Sequence, residues 1–254
     1  MSYFNYNNKK CYYKEFGEGT PLLFLHGNTA SSRMFDGIID IYKENNKVVL
    51  IDFIGHGKSE RLERFPIDLW FDEAMQVIAF LEQMKYGKVN IIGSSGGALV
   101  AINVALERPD LVNKVIADSF EGEVPLGEFV ENIKLERELS KQDDEAKAFY
   151  IYNQGNDWEN VVDNDTNALY DHYKTIGKFF HKPVEMLDRN ILFTGSKEDE
   201  FATCDFYEKT YSELIKKVKN GEMHLFDKGG HPAIISNAVE FVKVANIFLT
   251  KTNE

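Results

Sequence analysis

Gly93-Ser94-Ser95-Gly96-Gly97 holds a serine, Ser95, at the centre of a Gly-x-Ser-x-Gly pentapeptide, and two later segments carry the groups that such a serine needs. A serine hydroxyl is a weak nucleophile at neutral pH, so a base must take its proton and an acid must orient that base. Asp227-Lys228-Gly229-Gly230-His231-Pro232 supplies the base, His231, on a loop whose glycines let it fold back. Thr194-Gly195-Ser196-Lys197-Glu198-Asp199-Glu200 offers Asp199 or Glu198 as the acid. The chemistry this set implies is acyl transfer through a covalent intermediate. Ser94 is a neighbouring hydroxyl but does not fall at the middle of the pentapeptide.

The serine must be held by a sharp turn from strand to helix, and the flanks provide one. Residues 88–92 (Lys-Val-Asn-Ile-Ile) read as a short buried strand. Ala98, Ala101, Ile102 and Ala105 then repeat at helical spacing, widened by Leu99 and Leu106, until Arg108-Pro109 stops the run. In that context the pentapeptide reads as a nucleophile elbow. The N–H of Gly96, in the first turn of the helix, points to where an oxyanion would form.

The rest of the chain alternates in the same rhythm. A hairpin is expected over residues 3–16 around Asn7-Asn8, followed by buried strands at 21–25, 48–51, 112–117, 190–194 and 223–226. Helices are expected from about 31 to 44 with Ser31 or Ser32 as N-cap, over the stripe Trp70, Ala74, Val77, Ile78, Leu81 and Met84, and at 203–218 and 236–249. In the last helix, Ala238, Phe241, Val242, Ala245, Phe248 and Leu249 are read as core-facing. This pattern predicts one α/β domain with a mostly parallel sheet covered on both sides. It is interrupted from about residue 120 to 187, where helical stretches rich in acidic and aromatic residues suggest an inserted helical cap.

Composition removes several function classes. The 254 residues carry 41 acidic and 29 basic side chains, a formal charge of −12, and no basic patch interleaved with aromatics, which argues against nucleic acid and anionic membranes. The two cysteines, Cys11 and Cys204, are far apart and suggest neither a disulfide framework nor a zinc site. The first residues lack the basic and apolar regions of a secretory leader, and no apolar run reaches membrane-spanning length, so a cytoplasmic protein is expected. Dinucleotide and Walker fingerprints are missing, so no cofactor is expected. His172 and His181 are not spaced as a ligand pair, and no metal site is expected. His56, in a glycine-rich turn, is expected to make a structural hydrogen bond.

Taken in order, the motifs resemble the α/β-hydrolase superfamily over nearly the whole chain, in its serine esterase and lipase-like branch with a helical cap. His26-Gly27-Asn28 is similar to the family's oxyanion loop after the third strand. Asp52-Phe53-Ile54-Gly55-His56-Gly57-Lys58-Ser59 matches its D-x-x-G-x-G-x-S turn. The pentapeptide, the acid loop and the Gly229-Gly230-His231 loop follow in the family's order of serine, acid, histidine. The resemblance implies the backbone N–H groups of Gly96 and Asn28 as oxyanion donors; the plain alternative for Asn28 is a turn residue. The family's commonest spacing from Gly195 lands on Glu198, whereas the apolar pair Phe201-Ala202 favours Asp199. Asp118, at the end of the sixth strand, is a further alternative acid, with capping of the turn as its structural role.

The expected function is a serine hydrolase acting on carboxylic esters of small or medium apolar acids. Carbon–carbon bond hydrolases, amidases and acyltransferases use the same triad, and a non-catalytic sensor of a small ligand is the reading from a different class. Ser95 argues against dehalogenases and epoxide hydrolases, whose nucleophile is aspartate. The aromatic residues Phe120, Phe129, Phe149, Tyr150, Tyr152, Trp158, Tyr170, Tyr173, Phe179 and Phe180 are expected mostly to glue the helical segment to the sheet, with a few facing substrate.

Overall fold

Residues 2–202 and 205–251 are described by the structure, a computed structural model. Eight strands build one sheet: β1 (Ser2–Tyr6), β2 (Lys9–Phe16), β3 (Thr20–Leu25), β4 (Asn46–Ile51), β5 (Val89–Ser94), β6 (Val112–Asp118), β7 (Asn190–Ser196) and β8 (Gly221–Phe226). Their order across the sheet is β1-β2-β4-β3-β5-β6-β7-β8. The β1–β2 hairpin pairs antiparallel with β4, and every pairing from β4 through β8 is parallel. Asn7 and Asn8 turn the hairpin at φ 48° and 63°, a region asparagine tolerates.

Alternation along each central strand splits the core into two layers. Leu22 and Phe24, Val48 and Leu50, Ile92, Ile116 and Leu192 face one layer. Leu23 and Leu25, Val49 and Ile51, Ile91, Val115 and Phe193 face the other. Both faces are therefore apolar, and helices must cover each. Along the chain these are α1 (Ile39–Tyr42), α2 (Leu69–Met84), α3 (Gly96–Glu107), α4 (Gly127–Ser140), α5 (Asp144–Gln154), α6 (Trp158–Thr175), α7 (Phe206–Lys217), α8 (Ala233–Ser236) and α9 (Ala238–Thr250). The first layer packs against α1, α8 and α9, the second against α2, α3 and α7. Lys114 reaches out of β6 to donate to the carbonyls of Phe248 at 2.9 Å and Leu249 at 3.1 Å, tying down the last turn of α9.

One expected helix is broken. In place of a helix from 31 to 44, a 3₁₀ turn (Ser32–Phe35) capped by the Ser31 hydroxyl precedes the single turn α1, with Gly37 between them. Phe35, Ile38, Ile39 and Tyr42 still bury together, so the apolar spacing of a helix survives a break in its backbone. The helix expected over 236–249 forms as α9, and the single turn α8 precedes it across Asn237. The core-facing set on α9 holds for Phe241, Val242, Ala245 and Phe248, with Ala238 and Leu249 packed at its edge.

Between β6 and β7 lie α4, α5 and α6 and a short 3₁₀ turn, with no strand among them. The third of these helices carries the polar side chains of Asp165 and Thr166 on its buried face. Among the described residues no helix is long and apolar enough to cross a membrane. Cys11 is a buried free thiol; Cys204 and Thr203, the expected start of α7, lie outside the described residues.

Candidate active site

Ser95 sits between β5 and α3 at φ 55°, ψ −124°, a strained conformation for a residue with a side chain. Surrounding contacts over-determine it. Its N–H donates to the Asp118 carbonyl at 2.7 Å, and its own carbonyl accepts from Ala98. The glycines on either side are needed for close approach: a Cβ on Gly93 would stand 2.1 Å from the Gly97 carbonyl oxygen, and one on Gly97 would stand 2.2 Å from that of Leu25. Ser95 is partly exposed while Ser94 is buried, so only the central hydroxyl is presented.

The loop after β3 lies directly beside the elbow. A Cβ on Gly96 would meet Asn28 Oδ1 at 2.2 Å, so glycine is required for this loop to approach. Both ends of the Asn28 side-chain amide are held by hydrogen bonds. Its amide donates to Asp165 Oδ2 at 2.8 Å, and its oxygen accepts from Trp70 Nε1 at 3.2 Å. Among the described residues no acceptor takes the N–H of Asn28 or that of Gly96, so both donors are available.

His231 Nδ1 lies 2.9 Å from Asp199 Oδ2. The Tyr207 hydroxyl donates to the same oxygen at 2.7 Å, and the Phe201 N–H donates to Oδ1 at 2.9 Å. Burial pushes the Asp199 carboxyl up, but the bond to His231 and its charge, with Phe201 and Tyr207, bring it below its ordinary value. An ionised acceptor there puts the imidazole proton on Nδ1 and leaves the Nε2 lone pair free to accept a proton. Glu198, the alternative at this loop, is exposed. Glu200 instead accepts the backbone N–H of His231 at 3.0 Å.

A search of protein-family models matches residues 20–238 to the alpha/beta hydrolase fold. The chain belongs to the α/β-hydrolase family. It is 32% identical over 110 residues to the (E)-2-((N-methylformamido)methylene)succinate hydrolase of Acinetobacter baylyi, covering 43% of this chain and 41% of that one. It is 34% identical over 102 residues to an sn-1-specific diacylglycerol lipase of Danio rerio, covering 39% of this chain and 31% of that one. The matched segment thus spans less than half the length of either relative. Among solved structures, the enol-lactonase from Burkholderia xenovorans superposes with a TM-score of 0.79 at 16% identity, covering 98% of this chain and all of that one. A serine hydrolase involved in carbazole degradation gives 0.76 at 21% identity, with 98% of each chain covered. These likenesses establish the fold.

In this α/β-hydrolase Ser95, Gly96, Asn28 and His231 line one cavity of about 710 Å³. Among the described residues Ser95 and His231 share the cavity without a hydrogen bond between them, a contact that often tightens only around substrate. Its wall is mainly apolar and aromatic; of the aromatic residues singled out in the sequence, Phe120, Phe129, Phe149, Tyr150 and Tyr152 reach it. Trp158 instead stacks on Tyr150, and Phe179 packs on Trp70 and His172. Glu121 also lines the cavity, and burial pushes its carboxyl up to about 7.

Among the described residues no hydrogen bond joins Asp118 to His231. Its Oδ1 accepts from the Thr194 and Ser119 hydroxyls and its Oδ2 from the Ile234 N–H at 3.0 Å, so it anchors the start of α8 just past the histidine. Burial pushes it up to about 6. The hydrogen bond expected for His56 is not made. Its nitrogens stand 3.9 Å from Glu73 and from Asp165, and the ring packs between Phe65 and His26. His172 bonds the carbonyls of Ile67 and Lys178, and His181 stacks on Phe71 beside Asp68. Among the described residues no group of three or more His, Cys, Asp or Glu is arranged to hold a metal ion.

Sequence reading missed Tyr207, Trp70 and Asp165. Tyr207 and Trp70 look like core aromatics at helical spacing, and each spends its one polar atom on the site. Asp165 is separated from its partner Asn28 by 137 positions and carries no local signal.

Proposed function

We propose that this α/β-hydrolase is a serine hydrolase cleaving carboxylic esters of small or medium apolar acids, with Ser95 as nucleophile, His231 as base and Asp199 as the acid that orients it. The observation that carries this reading is the Asp199–His231 bond of 2.9 Å, made by a histidine that shares its cavity with a serine held at a strained elbow. His231 Nε2 takes the Ser95 proton as Oγ bonds to the substrate carbonyl carbon. The oxyanion accepts from the N–H groups of Gly96 and Asn28, each such donor being worth about 10²–10³ in kcat. The tetrahedral adduct collapses, the carbon–oxygen bond to the leaving group breaks, and Nε2 returns its proton to the departing alkoxide. Water then gives a proton to Nε2 and its oxygen to the acyl carbon; collapse releases the acid and restores the Ser95 hydroxyl.

The three helices between β6 and β7 act as a cap in this proposal, a reading supported by Phe129 of α4 and Tyr150 of α5 lining the same cavity as Ser95. The mainly apolar wall supports an apolar acyl group. Ser95→Ala is expected to lower hydrolysis of p-nitrophenyl butyrate by at least about 10⁴-fold while the protein stays folded. A fluorophosphonate is expected to label the wild type at Ser95. Turnover by Ser95→Ala at the wild-type rate would end this assignment, and an active wild type that resists the probe would count against it equally.

A further inference from the structure

Asp165, on α6, is fully buried, and its Oδ2 accepts from two donors on the loop that follows β3. One is the Asn28 side-chain amide at 2.8 Å, the other the backbone N–H of Thr29 at 3.3 Å. Thr29 stands at φ 57°, a region that a β-branched residue rarely adopts. That geometry persists only when its surroundings impose it. Here they do so from several elements. Arg137 of α4 donates to the Thr29 hydroxyl at 3.4 Å, with its guanidinium 3.9 Å from Asp165 Oδ1. Gln154 of α5 donates to the carbonyls of Thr29 and Ala30 at 2.9 and 2.7 Å. Asp165 alone among these grips both sides of the Asn28–Thr29 peptide, and Trp70 fixes the other end of the Asn28 amide.

We propose that Asp165 is a positioning residue for the reaction: it holds the strained Asn28–Thr29 turn so that the free N–H of Asn28 stays aimed at the oxyanion. This rests on the serine-hydrolase reading above and adds a residue to it. A carboxyl that served only to glue the helical layer down would have no need to bond the asparagine amide and the adjacent N–H together. Its burial without solvent contact makes the hold stiff, because breaking either bond leaves a donor unpaired in the interior.

The test compares Asp165→Asn, Asn28→Ala and the double variant in hydrolysis of p-nitrophenyl butyrate, alongside inhibition by a boronic acid that forms a tetrahedral adduct on Ser95. Asp165→Asn is expected to lower kcat 10- to 100-fold with KM within twofold, a loss at or below the worth of one oxyanion donor. Boronic acid Ki is expected to rise in parallel with the kcat loss. Asn28→Ala keeps the backbone N–H but removes the group that Asp165 holds, and is expected to reproduce the effect. The double variant is expected to be no slower than the worse single one, as for two residues acting as a unit. A folded Asp165→Asn with wild-type kcat, or one whose KM rises while kcat and Ki stay unchanged, overturns the proposal. Where Asp165→Asn fails to fold, Asn28→Ala decides, and unchanged kcat and Ki there overturn it. Ser95→Ala separates the two claims: an active Ser95→Ala removes the parent reading, whereas an inactive one beside a fully active Asp165→Asn removes only this inference.

Discussion

At the scale of single residues, the acid loop shows how little separates a carboxylate that meets His231 from one that does not. Glu198 and Asp199 are neighbours, yet the turn closed by the Asp199 N–H on the Ser196 carbonyl buries one carboxylate and leaves the other in solvent. Asp199→Asn is expected to lower kcat by about 10⁴-fold, because the amide no longer selects the Nδ1-protonated ring. Glu198→Gln is expected to stay within twofold of wild type, and steady-state assays of the pair decide between them. Tyr207 shares the Asp199 oxygen with His231, and burial together with Tyr211 and Asp199 pushes its phenol far above its usual range, so it remains a donor. Losing that bond in Tyr207→Phe is expected to lower kcat/KM by about tenfold, the worth of one hydrogen bond to a charged group. An unchanged kcat/KM would show that His231 and Phe201 hold the carboxylate unaided.

At the scale of elements, strands deliver the site and close contacts fix its geometry. Gly97→Ala would drive a methyl group toward the Leu25 carbonyl at the start of α3, against backbone that cannot move without disturbing β3. Its expected cost is about 3 kcal/mol, at the upper end for overpacking, read as a fall in urea midpoint with loss of activity. Lys114→Met tests the opposite end of the sheet. Removing the ammonium strands the final carbonyls of α9, for an expected loss of about 1–3 kcal/mol in stability with kcat unchanged. The sequence showed the strands because apolar runs bounded by glycine persist through the sheet. It misread the helix after β3, where Phe35, Ile39 and Tyr42 keep helical spacing although Gly37 and the Ser31 cap break the backbone into two turns.

At the scale of the molecule, buried titratable groups set opposing pH dependences. His26 is buried beside His56, and burial chiefly pushes it down to about 3 from its ordinary 6.5. Its Nε2 accepts the Phe53 N–H at 3.2 Å, a bond that protonation destroys. A depressed histidine means that the unfolded chain binds the extra proton, so this contribution is whole above about pH 6.5 and is lost as pH falls toward 3. Asp118, raised by burial to about 6, acts oppositely: the folded state holds the proton, and stability from this group falls as pH rises from 3.8 to about 6. Denaturant titrations between pH 4 and 8 are expected to show His26→Gln with a flattened acid limb. Asp118→Asn is expected to show a steeper one, since the compensating group is gone. Parallel curves for all three proteins would contradict both assignments.

The sequence by itself determined the elbow, the histidine loop and the alternating sheet, because each is encoded within a few adjacent residues by glycine spacing, a breaker or an apolar run. Tertiary structure decided the rest: which of two neighbouring acids meets His231, that Tyr207 shares it, and that Asp165 grips the loop of Asn28 from a helix far along the chain. These are pairings between side chains with no sequence proximity, and only packing the helices over the sheet brings their donors and acceptors within 3 Å or so of one another.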